Sequence, residues 1–167
     1  MQEEDLKRLS DVLNAHPNQK CAAIIRLLLL TGARKSEVLN LTWDQIDMKR
    51  GIWTKPAHTT KQKRTEHVPL SAEALAVLQE VIEQPWRDAV HVFPGVIAGK
   101  PVHCIKKFWS DVRVAAELDP TRIHDLRHTY ASHLVSGGIS LAIVGRLMGH
   151  TQAQTTQRYA HFADNPL

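Results

Sequence analysis

The sequence has few of the features that mark secreted, membrane-spanning or metal-stabilised proteins. Its two cysteines, Cys21 and Cys104, lie far apart and outside any paired metal-ligand spacing, so neither a disulfide nor a zinc site is predicted. Its longest apolar run, Ala22 to Leu30, is interrupted by Arg26 and is too short to cross a bilayer. The acidic, amphipathic N-terminal segment lacks the pattern of a secretory leader. These absences indicate a cytoplasmic protein, with no membrane partner, whose two cysteines are reduced and buried.

Signals for nucleotide or metal chemistry are also missing. The sequence contains no G-x-x-x-x-G-K-S/T loop of the kind that cradles nucleotide phosphates, and no Asp and Glu residues are spaced to hold magnesium. It contains no internal repeat or low-complexity segment, and its 167 residues suit one domain. We therefore expect a single domain, spanning residues 1–167, that works without cofactor or metal.

The composition is that of an ordinary globular protein with a basic balance. Hydrophobic residues make up 43% and charged residues 23% of the chain, which fits a folded domain rather than a disordered one. The formal net charge is +4, and ten histidines add latent positive charge. A basic balance permits a polyanionic partner such as nucleic acid, although a charge of +4 alone is weak support.

Apolar spacing predicts a mostly helical chain. Leu6, Leu9 and Leu13 recur at intervals of three and four, which is typical of an amphipathic helix over residues 3–15. A second, nearly all-apolar helix follows and ends at Gly32, where glycine can adopt the left-handed conformation. Further helices are predicted over residues 36–41, 71–83, 102–117, 124–136, 141–148 and 151–159.

One small sheet accompanies the helices. Residues 43–47, 51–55 and 66–70 are rich in strand-forming side chains and are separated by turn signals. The stretch between the last two is polar and basic and is predicted to be an exposed hairpin loop. The predicted fold class is therefore mostly α (α+β), with an antiparallel sheet of two or three strands.

Three segments carry residue types suited to phosphate chemistry. They are TGARKSEVLNL at 31–41, HDLRHTYASHL at 124–134 and LMGHTQAQTTQRYAHF at 147–162. Their order, internal spacings and intervening lengths resemble the signature motifs of the tyrosine recombinase (phage integrase) family. The resemblance extends from about Leu6 to Phe162.

Two arginines and a histidine are the candidate phosphate ligands. Arg34 follows a glycine and precedes a short helix, and helix N-termini favour anions. His124 and Arg127 are three apart on a helix and therefore share a face. Guanidinium groups bind non-bridging oxygens most strongly as charge develops in the transition state. The resemblance implies that both arginines hold the scissile phosphate and that His124 orients or proton-balances the reacting groups.

Glu37 is a candidate supporting residue. The resemblance implies that it holds Arg34 or the local turn in place. It is equally well explained as a favourable negative charge in the first turn of a helix.

Tyr159 is the candidate nucleophile. It is one of only two tyrosines, and the other, Tyr130, suits a buried structural role. The resemblance implies that Tyr159 attacks a DNA phosphodiester and that His150, nine residues earlier, donates a hydrogen bond to a non-bridging oxygen. His128 and His133 fall off the shared face or outside the family pattern and are interpreted as structural.

The basic hairpin loop supplies the candidate general acid, because a leaving 5′-oxygen needs a proton. The resemblance places this lysine a few residues before a Val-Pro-Leu stretch, here residues 68–70, which favours Lys61 and leaves Lys63 as the alternative. Lys35, Lys63 and Arg64 are predicted to contact the DNA backbone. The alternative explanation of this loop is a solvated charge run that touches the DNA backbone nonspecifically.

The activity implied by the resemblance is that of a site-specific DNA recombinase or integrase. Tyr159 would form a 3′-phosphotyrosyl link and free a 5′-hydroxyl. Because the link conserves the bond energy, strands could be rejoined without ATP. The two arginines, two histidines and the lysine would provide the charge stabilisation that metal ions give elsewhere, so no metal is expected. Two alternatives stay open: a type IB topoisomerase-like enzyme, which rejoins the same strand, and a DNA-binding module without catalysis. A helical scaffold unrelated to nucleic acid would leave the ordered motifs unexplained.

The resemblance also bears on domain content and assembly. Typical family members carry an N-terminal core-binding domain, and this chain begins almost at the catalytic domain. Only eight residues follow Tyr159, whereas family members often dock a C-terminal segment on a neighbouring subunit. We expect a full-length protein that is tetrameric on double-stranded DNA and a monomeric catalytic fragment with weak DNA affinity.

Overall fold

A computed structural model describes residues 1–60, 63–149, 156–157 and 159–160. Within these ranges the chain forms seven α-helices and one three-stranded sheet. The helices are α1 (Glu3–Ala15), α2 (Gln19–Thr31), α3 (Lys35–Leu39), α4 (Ala72–Ile82), α5 (Lys106–Ala115), α6 (Ile123–Ser136) and α7 (Leu141–Leu147). The strands are β1 (Ile46–Asp47), β2 (Ile52–Lys55) and β3 (Glu66–Pro69). The predicted class, mostly helical with a small antiparallel sheet, is confirmed.

Helix α2 is the centre of the fold. The side chain of Asn18 caps its first turn by accepting the backbone N–H of Cys21 at 3.0 Å. Most of its side chains are buried, and it packs against α1, α3, α4 and α6. Among the described residues, no helix is both long enough and apolar enough to cross a membrane.

Gly32 ends α2 and sets the direction of the chain toward Arg34. Its φ of +60° lies in the left-handed region that favours glycine. A Cβ atom at this position would lie 2.2 Å from the ring of Tyr130 on α6. The turn that carries Arg34 therefore lies directly on α6.

The sheet is antiparallel, in the order β1-β2-β3, with Lys55 opposite Glu66 at the base of the hairpin. The predicted first strand, residues 43–47, is shorter in the structure. Trp43–Gln45 forms a 3₁₀ turn, and only Ile46–Asp47 pairs with β2. The reason is a tertiary contact, because the backbone N–H of Trp43 donates to Val90 at 3.0 Å instead of joining the sheet.

Helix α5 begins four residues later than predicted. The backbone N–H of Val102 donates to the carbonyl of Phe93 at 2.9 Å, so this segment is extended rather than helical. The prediction that both cysteines are buried is wrong for Cys104, which is exposed, and correct for Cys21.

The buried apolar residues form two clusters. The larger one surrounds α2, and Leu126 connects it to α6. The smaller one lies between α6, α7 and the C-terminal segment, and consists of Ala131, Val135, Val144, Met148 and Tyr159. Thr156 and Gln157 are helical, and the remainder of the helix predicted over residues 151–159 lies outside the described residues, apart from Tyr159 in a turn.

Candidate active site

Helix α6 positions three of the polar side chains at the site. Its start is capped by the carboxylate of Asp125, which accepts the backbone N–H of Arg122 at 2.8 Å. His124, Arg127 and His128 follow within two turns. Leu126 anchors the opposite face in the larger core cluster. The fold thus fixes the helix that carries these side chains before any ligand binds.

Arg127 is buried and bridges two distant segments. Its Nη1 donates to the carbonyl of Gly32, and its Nη2 donates to the carbonyl of Met148. These bonds use two of the five N–H groups of the guanidinium. Burial lowers the pKa of Arg127, and the positive charge of Arg34 lowers it further. Two guanidiniums therefore lie close enough to repel each other.

Arg34 lies at the N-terminal end of α3 and is paired with Glu37. The Glu37 carboxylate accepts the backbone N–H of Arg34 at 2.9 Å and its Nη1 at 3.0 Å. The Arg34 side chain stays 29% exposed, whereas that of Glu37 is only 4% exposed. A buried carboxylate therefore orients a guanidinium that is partly exposed at the surface.

Lys55 forms a second ion pair with Glu37, and the sequence motifs do not predict this pair. Its Nζ lies 2.7 Å from Glu37 Oε2, and both side chains are buried. Burial would raise the pKa of Glu37, but Lys55 and Arg34 together hold it below its ordinary value. Burial lowers the pKa of Lys55 despite the nearby carboxylates. The alternation of β2, which buries Trp53 and therefore Lys55, is the signal that could have revealed it.

Glu66 connects the hairpin base to the third motif. A Cβ atom at Gly149 would lie 3.1 Å from its Oε1, so the carboxylate lies directly beside that glycine. Gly149 has a φ of +60°, which again favours glycine. The strands that flank the basic loop thus contact both the Arg34 side and the Gly149 side of the site.

His124 lies on the exposed face of α6, near both arginines. Burial lowers its pKa, and the charges of Arg127 and Arg34 lower it further, although Asp125 acts in the opposite direction. The neutral imidazole is therefore favoured at neutral pH. The structure therefore brings His124 close to Arg127 and Arg34, whose positive charges both act on its imidazole.

Tyr159 is packed in the smaller core cluster and is 3% exposed. Its hydroxyl oxygen lies 2.5 Å from Nδ1 of His128. The segment that carries it approaches α7 closely, since a Cβ atom at Gly145 would lie 2.9 Å from Oγ1 of Thr156. The phenol is also close enough to Arg127 to raise the pKa of that guanidinium, an effect smaller than that of burial.

The sequence alone predicts a structural role for His128, whereas the structure places its ring between Tyr159 and His124. The rings of His124 and His128 meet edge to face, with centroids 4.9 Å apart. His128 therefore does not fall off the face of His124, and the spacing of four residues between the two histidines is the sequence signal that could have shown this.

The remaining predicted site residues either lie on the surface or fall outside the residues that the structure describes. Lys63 and Arg64 are exposed, and the hydroxyl of Thr60 donates to the carbonyl of Arg64 at 2.8 Å. Lys35 is exposed at the start of α3. Lys61 and His150 lie outside the described residues. Among the residues described, no group of three or more His, Cys, Asp and Glu side chains could hold a metal ion.

A helical domain that gathers two arginines, a histidine and a tyrosine around one helix has the architecture of a tyrosine recombinase catalytic domain. The phage integrase family model matches residues 1–165. The chain belongs to this family.

Comparison with individual proteins agrees with this assignment. The integrase of Haemophilus phage HP1 is 31% identical over 166 residues, covering 99% of this chain and 44% of that protein. The tyrosine recombinase XerD of Pseudomonas putida is 28% identical over 155 residues, covering 87% of this chain and 50% of that protein. This chain therefore spans about half the length of the curated relatives it matches.

Two solved structures show the same fold. The catalytic domain of bacteriophage HP1 integrase superposes with a TM-score of 0.77 at 28% identity, covering 99% of this chain and 89% of that chain. The Tn1549 transposon integrase in complex with circular intermediate DNA gives a TM-score of 0.79 at 19% identity, covering 95% of this chain and 61% of that chain.

Proposed function

We propose that this chain is the catalytic domain of a site-specific DNA recombinase that cuts and rejoins DNA through Tyr159. The observation that carries the proposal is the packing of Tyr159 against α6, the helix that also presents His124 and Arg127. Family membership supports the same activity.

Arg34 and Arg127 would bind the non-bridging oxygens of the scissile phosphate. Their mutual repulsion in the free protein is relieved when an anion binds between them, and the relief grows as charge develops in the transition state. The bonds of Arg127 to Gly32 and Met148 orient its guanidinium in advance. Glu37 would hold Arg34 at the angle that the phosphate needs.

The basic hairpin would protonate the leaving oxygen. Lys61 is the first candidate, and Lys63 the second, because both belong to the segment between β2 and β3, which are paired at Lys55 and Glu66. His150 would donate to a non-bridging oxygen, as its place in the third motif implies. Lys35, Lys63 and Arg64 would contact the DNA backbone.

In the proposed reaction, Tyr159 attacks phosphorus, the bond to the 5′-oxygen breaks, and a 3′-phosphotyrosyl link forms. A 5′-hydroxyl from a second strand reverses the step. The two arginines, with His124, His150 and the lysine, would supply the charge stabilisation that metal ions give in other phosphoryl transfers. We therefore propose that neither ATP nor a metal ion is required.

A covalent trapping experiment tests the proposal without knowledge of the DNA target. Nicked duplexes of randomised sequence, in which the cleaved strand loses its short 5′-hydroxyl fragment, are incubated with the protein in EDTA. Adducts that resist denaturant are then isolated and sequenced. Tyr130→Phe is the matched control for Tyr159→Phe, since each variant removes one hydroxyl and keeps its ring.

We expect adducts with the wild type and with Tyr130→Phe, and none above background with Tyr159→Phe. Absence of any wild-type adduct would overturn the proposed activity, and an adduct retained in Tyr159→Phe would assign the nucleophile elsewhere. Enrichment of one sequence supports a recombinase, whereas relaxation of supercoiled plasmid without sequence preference would support a topoisomerase-like enzyme.

The cellular location follows from the substrate, and we propose that the protein acts in the cytoplasm, where DNA is accessible. We also predict that the catalytic domain is monomeric and that the full-length protein is tetrameric on DNA. Light scattering with and without a duplex recovered from the adducts would check both predictions.

A further inference from the structure

The hydroxyl of Tyr159 faces a histidine to which no signature motif gives a role. His128 Nδ1 and Tyr159 Oη are 2.5 Å apart, at the short end of the range for protein hydrogen bonds. The two ring centroids are 5.9 Å apart. Because Tyr159 is 3% exposed, bulk water has little access to the phenol. A proton that leaves Oη must therefore pass to a neighbouring group of the protein.

We propose that His128 is the general base that removes the phenolic proton of Tyr159 during DNA cleavage, an inference that rests on the proposed role of Tyr159 as nucleophile. The lone pair on Nδ1 takes the proton as the Oη–P bond forms. The P–O5′ bond breaks, and the leaving oxygen takes its proton from the hairpin lysine. On rejoining, the 5′-hydroxyl returns its proton to the lysine, and the imidazolium Nδ1–H returns the other to Oη.

This role requires the neutral imidazole with its proton on Nε2, since Nδ1 must accept. In the imidazolium form, Nδ1–H donates to Oη instead and no base is available.

The charged and titratable groups around His128 are suited to the transfer. On α6, His124 meets its ring edge to face, and Asp125 lies within electrostatic range. Burial raises the pKa of Asp125, whereas Arg122 and, more weakly, His128 lower it. The Asp125 carboxylate therefore favours the imidazolium that the transfer creates, as an acidic partner does in a catalytic triad. Among the described residues of the C-terminal segment, Tyr159 faces His128, and the nearby Arg127 would stabilise the developing phenolate.

His124 and His128 of α6 would thus have different roles in the reaction. His128 contacts the nucleophile, whereas His124 lies on the exposed side of the helix, near Arg34 and Arg127, where the phosphate would bind. The contact of His128 with Oη of Tyr159 is the observation that assigns the base.

Rates of adduct formation between about pH 5 and pH 10 test the proposal, with the enriched nicked duplex as substrate. His128→Asn is the informative variant, because the Asn oxygen can accept the phenol hydrogen bond but cannot take its proton. The wild-type rate should rise with pH and level off once the imidazole is neutral. The variant should be slower by about 10²- to 10⁴-fold near neutral pH and should rise about tenfold per pH unit without a plateau, since it requires preformed tyrosinate.

A substrate with sulfur in place of the bridging 5′-oxygen separates the two proton transfers, because a thiolate leaves without a proton. It should restore cleavage to Lys61→Ala, or to Lys63→Ala if Lys63 is the acid, and should not restore it to His128→Asn. A plateau retained in His128→Asn, or its rescue by sulfur, would overturn the role of His128 while Tyr159 remains the nucleophile. A covalent adduct in Tyr159→Phe would instead overturn the proposed function.

A measurement without DNA keeps the inference testable if His128→Asn folds poorly. Tyr130→Phe leaves Tyr159 as the only tyrosine in the chain, so its ¹³Cζ resonance can be followed alone. The resonance should shift as the contacting imidazole titrates, and the shift should vanish when His128→Asn is added. Absence of any such step in Tyr130→Phe itself would overturn the proposal.

Discussion

Replacing Glu37 by glutamine removes the one carboxylate that pairs with both Arg34 and Lys55. Lys55 and Glu37 have side chains only 5% and 4% exposed, so the variant leaves a buried ammonium without its direct ion-pair partner, and Glu66 is the remaining nearby carboxylate. Loss of one partner from a buried pair costs about 3–5 kcal/mol. Arg34 is 29% exposed and can be hydrated, so its contribution is small. We expect the free energy of unfolding to fall by an amount near the lower end of this range, about 3 kcal/mol.

Urea unfolding followed by tryptophan fluorescence measures this loss. With a slope of about 2 kcal/mol per molar urea for a chain of this size, the midpoint should fall by about 1.5 M. The double variant Glu37→Leu/Lys55→Met is the matched control, because replacing both charges by apolar groups removes the stranded ammonium. It should recover most of the loss. A midpoint shift in Glu37→Gln below about 0.3 M, or a double variant less stable than the single one, would refute this account of the buried pair.

The same pair predicts a pH dependence with a definite sign. The pKa of Glu37 is lowered in the folded protein, so its contribution to stability is complete above its ordinary pKa of about 4.3. That contribution is lost as the pH falls through the lower folded value. The wild type should therefore lose more stability than Glu37→Gln between about pH 6 and pH 3. Equal losses in the two proteins would contradict the lowered pKa.

Two glycines should be intolerant of alanine for different reasons. Gly32→Ala places a Cβ atom 2.2 Å from the Tyr130 ring at a backbone φ of +60°. It should lower the free energy of unfolding by about 2–4 kcal/mol. An unchanged midpoint in urea titrations would contradict the packing. Gly145→Ala, whose Cβ atom would lie 2.9 Å from Oγ1 of Thr156, should loosen the Tyr159 segment and slow adduct formation with little change in the global midpoint, and adding Thr156→Ala should restore it. Failure of that rescue would mean that the contact does not position the nucleophile.

The parts of the fold that sequence could predict are those decided locally. Asn18 and Ser71 cap helices because their side chains accept nearby backbone N–H groups, at 3.0 and 3.2 Å. Gly32 ends a helix because it tolerates positive φ. Trp43 and Val102 depart from prediction because distant carbonyls accept their backbone N–H groups. No local pattern encodes those pairings.

The candidate site divides in the same way. Spacing within a helix relates His124 to Arg127, so their proximity could be predicted. The contact of Lys55 with Glu37 joins residues 18 apart, and that of His128 with Tyr159 joins residues 31 apart. Both contacts depend on how whole elements pack, and the spacing of residues within each motif predicts neither contact. Sequence therefore indicates candidate phosphate ligands more readily than the groups that orient and activate them.

Arg127 shows why these supporting contacts decide the geometry of the site. Its two carbonyl bonds fix the end of α2 and the end of α7 relative to α6. The first of these segments leads into Arg34, and the second leads toward the chain that carries Tyr159. If Arg127 binds the phosphate as proposed, this ligand is also a structural crosslink and cannot move independently of the other groups. Arginine suits both tasks because its planar fork offers several N–H groups in fixed directions, which lysine cannot reproduce. The charge at the centre of the site is therefore preorganised by the same bonds that hold the three segments together.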